Sequence, residues 1–147
     1  MSSTLFKETL LLFLDNGSRH LVEHIPVVIE KLELLFAAVS SMPTFRFYAS
    51  SLLLIYDGAE GSTAPIDIRM VDFANCISNA DELFNDPTLC SYPPSRPGPD
   101  SGYMVGLRTL IKSFAGLYLE LDANQRLADQ KKREAVQPSK EQKINAA

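Results

Sequence analysis

The chain has no tryptophan, two histidines, two cysteines and seven glycines, and each scarcity removes a class of function. Cys76 and Cys90 form no C-x-x-C pair, so neither a disulfide framework nor a cysteine zinc site is written here. Both thiols are expected to stay reduced, in the cytosol or the nucleus. The glycines make no G-x-x-x-x-G-K-[ST] loop, no G-x-G-x-x-G turn and no G-x-S-x-G elbow, which excludes the common phosphate-cradling and hydrolase signatures. No apolar run approaches the roughly 18 residues of a membrane span. The most apolar stretch, residues 10–14, has Lys7, Glu8 and Asp15 as neighbours. No basic segment followed by an apolar one opens the chain, so its start does not read as a secretory signal. Positive charge is scarce as well: residues 1–125 hold 8 Lys or Arg against 15 Asp or Glu. Phosphate neutralisation along a nucleic acid needs clustered cations, so the body is not expected to bind DNA or RNA.

What is present is an ordinary domain's worth of apolar residue, 46% of 147 positions, enough to build one core without staples. Residues 5–14 read as a helix stopped by Asp15-Asn16-Gly17. Leu21, Ile25, Val28, Leu32, Leu35 and Val39 recur at spacings of four and three, which predicts a helix to about Ser40. Pro26 must sit in its first turn or kink it. Residues 45–56 read as strand, as do residues 66–73, and the turn chemistry of Asp57-Gly58 between them predicts antiparallel neighbours. Residues 75–99, with five prolines, read as one long loop. Asp100 or Ser101 caps a helix whose apolar face runs from Tyr103 to Leu121, with Gly102 and Gly106 as a bare strip. The tail from residue 123 to 147 is polar and basic, a frayed helix or disordered, and its Lys131-Lys132-Arg133 reads as solvated charge. The fold class is α+β, antiparallel strands packed with helices.

Three features bear on chemistry. His20-Leu21-Val22-Glu23-His24 spells H-x-x-E-H, a zinc-hydrolase pattern in which both imidazoles share a helix face. Pro26 disturbs that turn and no third carboxylate ligand follows, so no zinc site is expected. Asp72 ends an apolar strand and is followed by Phe73 and Ala74, which sets a hard oxygen donor at the lip of a sheet, where a divalent ion on a nucleotide is reachable. Ser50 and Ser51 interrupt the other strand, and one of the two is placed to reach the same ion across the sheet. Asp57 and Asp67 read as hairpin and surface residues.

Three blocks then occur in order: residues 46–58 (RFYASSLLLIYDG), residues 68–74 (IRMVDFA) and residues 98–107 (GPDSGYMVGL). Together they resemble the C-terminal part of the inositol polyphosphate kinases, nearest the inositol hexakisphosphate kinase branch, from about Leu5 to Leu121. The resemblance implies that residues 1–122 are part of that family's C-terminal lobe. It also implies transfer of the ATP γ-phosphoryl group to an inositol phosphate, with Mg²⁺ held by Asp72 and, beside it, Ser51. The glycine-bearing helix would be architectural. Asn75 and Cys76 stand where the family usually has a basic residue and then Thr or Ser, so a group that would meet phosphate is missing. The family's P-x-x-x-D-x-K-x-G motif and ATP-binding N-terminal lobe have no counterpart in this sequence. The chain alone is therefore expected to be inactive; the alternative expectation is a non-catalytic interaction protein, self-associating through an exposed apolar face.

Overall fold

The computed structural model describes residues 3–59, 61–78 and 98–136. Helix α1 spans Ser3–Phe13 and stops where expected. Gly17 has φ +87°, and Asp15 Oδ1 accepts from Gly17 N at 2.8 Å while Asn16 Oδ1 accepts from Ser18 N and Arg19 N. These side chains replace the helical acceptors that the turn removes. A single 3₁₀ turn, Val22–His24, leads into helix α2, Ile25–Ser40. Pro26 lies in the first turn of α2, where its missing N–H costs nothing and its fixed φ suits the helix. Ile25, Val28, Leu32 and Val39 of the predicted stripe are buried.

Four short strands follow: β1 (Phe45–Phe47), β2 (Ser51–Ile55), β3 (Asp67–Val71) and β4 (Cys76–Ser78). β2 and β3 pair antiparallel from Ser51↔Val71 to Ile55↔Asp67, as the hairpin chemistry predicts. β1 pairs antiparallel with β4, Phe47 opposite Cys76. Two corrections follow. The predicted strand over residues 45–56 breaks at residues 48–50, and the predicted loop over residues 75–99 begins with a strand. A three-residue strand between Asn75 and Asn79 has too few positions to show alternation, and its partner lies about thirty residues away in sequence, so only tertiary pairing reveals it. The remainder of that loop, with Leu83, Phe84 and Cys90, lies outside the described residues. The two ribbons are successive halves of one bent hairpin. Residues 48–50 on one arm and residues 72–75 on the other make the bend, and each side contains a left-handed residue: Ala49, φ 58°, and Asp72, φ 63°.

Helix α3, Ser101–Val136, begins on Asp100: its carboxylate accepts from Tyr103 N at 2.9 Å, and its carbonyl accepts from Met104 N. Leu107, Phe114 and Leu117 are buried and pack with α2, α1 and the hairpin in one core containing Leu10, Leu14, Ile25, Val28, Leu32, Val39, Phe47 and Ile66. The inner face of the β2–β3 ribbon, Leu52, Leu54, Ile68 and Met70, lies against this core. The far end of the hairpin is fastened to α1, because Tyr56 Oη donates to Phe13 O, the two rings meet edge to face at 5.0 Å, and Asn16 Nδ2 donates to Gly58 O. Past Asp122 the apolar pattern ends, yet the helix continues, exposed on all sides, to its last described turns. No described helix is long and apolar enough to cross a membrane.

Candidate functional site: the bend of the hairpin

Antiparallel register decides what meets at the bend. Ser51, the first residue of β2, lies opposite Val71, the last residue of β3, and Asp72 follows at once. The hydroxyl and the carboxylate thus share one end of the ribbon, remote from its turn. Both residues are exposed. Two-residue periodicity puts Ser51 on the outer face with Leu53 and Ile55, not on the inner face with Leu52. Ser50, the other candidate, is committed elsewhere: its Oγ donates to Phe47 O at 2.9 Å and closes the turn of the bend.

Asp72 is held with φ 63°, a conformation that aspartate tolerates better than most residues. A bend of this kind interrupts the ladder and turns a side chain out of the sheet, which is how bulges serve functional residues. Among the described residues no hydrogen bond or ion pair engages the Asp72 carboxylate. Its charge is nonetheless felt nearby. Burial raises the Cys76 thiol above its ordinary pKa, the Ser50 hydroxyl opposes that rise, and the carboxylates of Asp100 and Asp72 add to it. Cys76 is therefore a packed thiol and not an activated nucleophile. Tyr103 is raised in the same way, by burial first. Its Oη is buried without a hydrogen-bond partner; Ser50 lies near enough to act on it electrostatically but gives its proton to Phe47.

The donor set fits one ion better than another. Among the described residues no group of three or more His, Cys, Asp or Glu is placed to hold a metal, so a site closed by protein ligands is not formed. An exposed, unengaged carboxylate beside a hydroxyl suits Mg²⁺, which takes one or two protein oxygens and completes its shell with phosphates and water. The histidines offer no such set. His20 is exposed, and the His24 ring packs on Tyr56 at 5.2 Å. Glu23 between them is bound by Arg19 at 2.9 Å, which holds its carboxyl down at about 2. Asn75 is exposed just before β4. Asp57 is tied to Ala59 N and Ser62 Oγ, and Asp67 to Arg69 and Lys31, local roles in keeping with their reading as hairpin and surface residues.

A groove of about 610 Å³ lies behind the bend, lined by Phe6, Leu52, Tyr103, Gly106 and Leu110 among others. Gly106 has open space where a Cβ would stand, so the bare strip of α3 faces this groove.

The part of the site that sequence reasoning missed is Asp100. Besides capping α3 it accepts from Phe47 N at 2.8 Å. The helix-start pattern Asp-Ser-Gly gives the cap, but nothing local gives the strand partner.

A sequence model described as inositol polyphosphate kinase matches residues 1–115. An uncharacterized inositol polyphosphate kinase of Schizosaccharomyces pombe is 40% identical over 116 residues, covering 72% of this chain and 12% of that protein. Inositol hexakisphosphate kinase 3 of Mus musculus is 34% identical over 120 residues, 72% of this chain and 28% of its own length. The human protein of the same name is 32% identical over 130 residues, 73% of this chain and 30% of its own length. The chain thus spans less than a third of the length of each of these three curated relatives.

Proposed function

The chain belongs to the inositol polyphosphate kinase family, and on that premise we propose that it supplies the metal-holding end of the bent hairpin to an ATP-dependent phosphoryl transfer onto an inositol phosphate. Inositol hexakisphosphate is the substrate favoured by the names of the relatives. One observation carries the reading: an exposed aspartate with no described partner, set in left-handed backbone beside a serine hydroxyl at the end of a ribbon. Bound Mg²⁺ would supply charge neutralisation across the transferring phosphates. Asp72 gives that ion a hard anionic ligand, and Ser51 gives a neutral oxygen beside it. The bend keeps both side chains out of the core and open to a nucleotide.

The cations that a polyanionic substrate requires are not in this body, which carries 8 Lys or Arg against 15 Asp or Glu over residues 1–125. The 147 residues alone are therefore expected to turn over inositol hexakisphosphate little or not at all. The test is a phosphate-transfer assay on purified chain with Mg²⁺ and ATP, run beside Asp72→Asn. Turnover that Asp72→Asn abolishes would overturn the expected inactivity and keep the role of Asp72. Turnover indifferent to the substitution would remove Asp72 from the reaction. The thiol state written in the sequence favours the cytosol or nucleus as the place of action.

A second reading has its own observation. On the outer face of the hairpin Leu53 and Ile55 are each 48% exposed, and Phe73 at the bend is 53% exposed. In the non-catalytic alternative this face associates with a second copy of the chain. Sedimentation over a range of concentrations tests it: a monomer at all concentrations would remove this reading.

A further inference from the structure

Asp100 joins two elements by hydrogen bonds to the backbone of each. It is 8% exposed, and its two carboxylate oxygens are divided between them: Oδ1 accepts from Tyr103 N in the first turn of α3, and Oδ2 accepts from Phe47 N at the end of β1. Phe47 is also the anchor of the bend. Its carbonyl accepts from Ser50 N at 3.3 Å and from Ser50 Oγ at 2.9 Å, closing the turn that contains left-handed Ala49. Ser51 follows, opposite Val71 and so beside Asp72.

From this chain of contacts we propose that Asp100 is a positioning residue for the Asp72–Ser51 end, fixing the bend by clamping the start of α3 to the last residue of β1. The proposal rests on the reading of Asp72 as a metal ligand. Three features make the clamp a control point and not one more core contact. The carboxylate ties helix to strand alongside the Phe47 and Tyr103 rings, which meet at 5.5 Å, and each of its oxygens is committed to a different backbone N–H. The clamped residue is the one whose carbonyl carries the turn. The bend itself holds two residues in a conformation that costs free energy, so it persists only where its surroundings hold it. Released from Asp100, the arm through residues 48–50 can straighten, and Ser51 would then lose its place against Val71 and Asp72.

The test uses the full 147-residue chain and Mn²⁺ with ATP as the probe, read by paramagnetic broadening of the backbone amides of Ser51, Val71 and Asp72. Broadening that Asp72→Asn removes reports the site. Asp100→Asn keeps an oxygen for the helix cap but turns an N–H₂ toward Phe47 N, so it breaks one half of the clamp. The expected result is a loss of Mn²⁺·ATP affinity of about tenfold, the low end of what supporting groups around metal ligands cost. Phe114→Leu, a core change about 21 Å farther along the helix, controls for general destabilisation and is expected to leave the affinity unchanged while the protein is folded. Should Asp100→Asn fail to fold, Asp100→Ser, which caps the helix but is too short to reach β1, takes its place. Unchanged affinity in the folded Asp100 variant would overturn the proposal and leave the metal reading standing, as would an equal loss in Phe114→Leu. No Asp72-dependent broadening in the wild-type chain would overturn the metal reading and the proposal with it.

Discussion

Ala49 and Asp72 are the non-glycine residues with positive φ among the described residues, and they differ in what that conformation costs. Aspartate visits this region with local polar support, whereas alanine sets its Cβ against the following carbonyl. Ala49→Gly is therefore expected to stabilise the protein by about 1 kcal/mol, the strain relieved less the entropy glycine adds to the unfolded chain, measured by urea denaturation. Asp72→Asn keeps a residue suited to the same backbone. It should leave stability within about 0.5 kcal/mol while abolishing metal-dependent broadening at Ser51, a separation of function from fold that few substitutions offer. Glu23 belongs to a different chemistry. Arg19 lowers its folded pKa from 4.5 to about 2, so its contribution is complete above about pH 4.5 and disappears as pH falls toward 2. Its side chain is 53% exposed, so solvent screening holds the contribution to about 1 kcal/mol or less. Glu23→Gln should lower stability by no more than that at pH 7 and flatten the decline in the acid window, read from thermal melts at several pH values.

Among the elements, α3 has two halves with different reasons to be helical. From Asp100 to Leu121 it is capped and buried, with Leu107, Phe114 and Leu117 in the core. Beyond Asp122 its described residues are exposed, and isolated helix of that length is marginal without packing. Hydrogen exchange is expected to show strong amide protection through Leu117 and little after residue 124; uniform protection to residue 134 would mean that something packs on the exposed half. The start of the helix carries more energy than a cap alone. Asp100→Ala removes the cap and leaves Phe47 N buried and unpaired, a combined loss of about 2 to 4 kcal/mol, against about 1 for an ordinary cap. The helices and the β2–β3 hairpin were legible because their signals are local: the stripe from Leu21 to Val39, the stop at Gly17, Asp57-Gly58 between alternating runs. β4 was not, since Cys76-Ile77-Ser78 has strand character only against Phe45–Phe47.

At the scale of the whole molecule, an acidic body carries an apolar face on its hairpin. The proposed polyanionic substrate needs more cations than residues 1–125 carry, and Leu53, Ile55 and Phe73 form an exposed apolar face. Leu53→Lys is expected to leave folding intact, because the residue contributes nothing to the core, and to reduce any concentration-dependent association seen by sedimentation. The sequence by itself determined the class of fold, the helices and hairpin and the family resemblance, and it singled out Asp72 and Ser51 as candidates, because these rest on patterns and motifs contained within short stretches. Only the tertiary structure decided that β1 and β4 continue the hairpin across a bend, that Ser50 closes the turn while Ser51 faces outward, and that Asp100 clamps the bend to α3. The first and the last depend on a backbone group meeting a partner tens of residues away, and hydrogen bonds of that kind leave no periodic mark on the sequence that makes them.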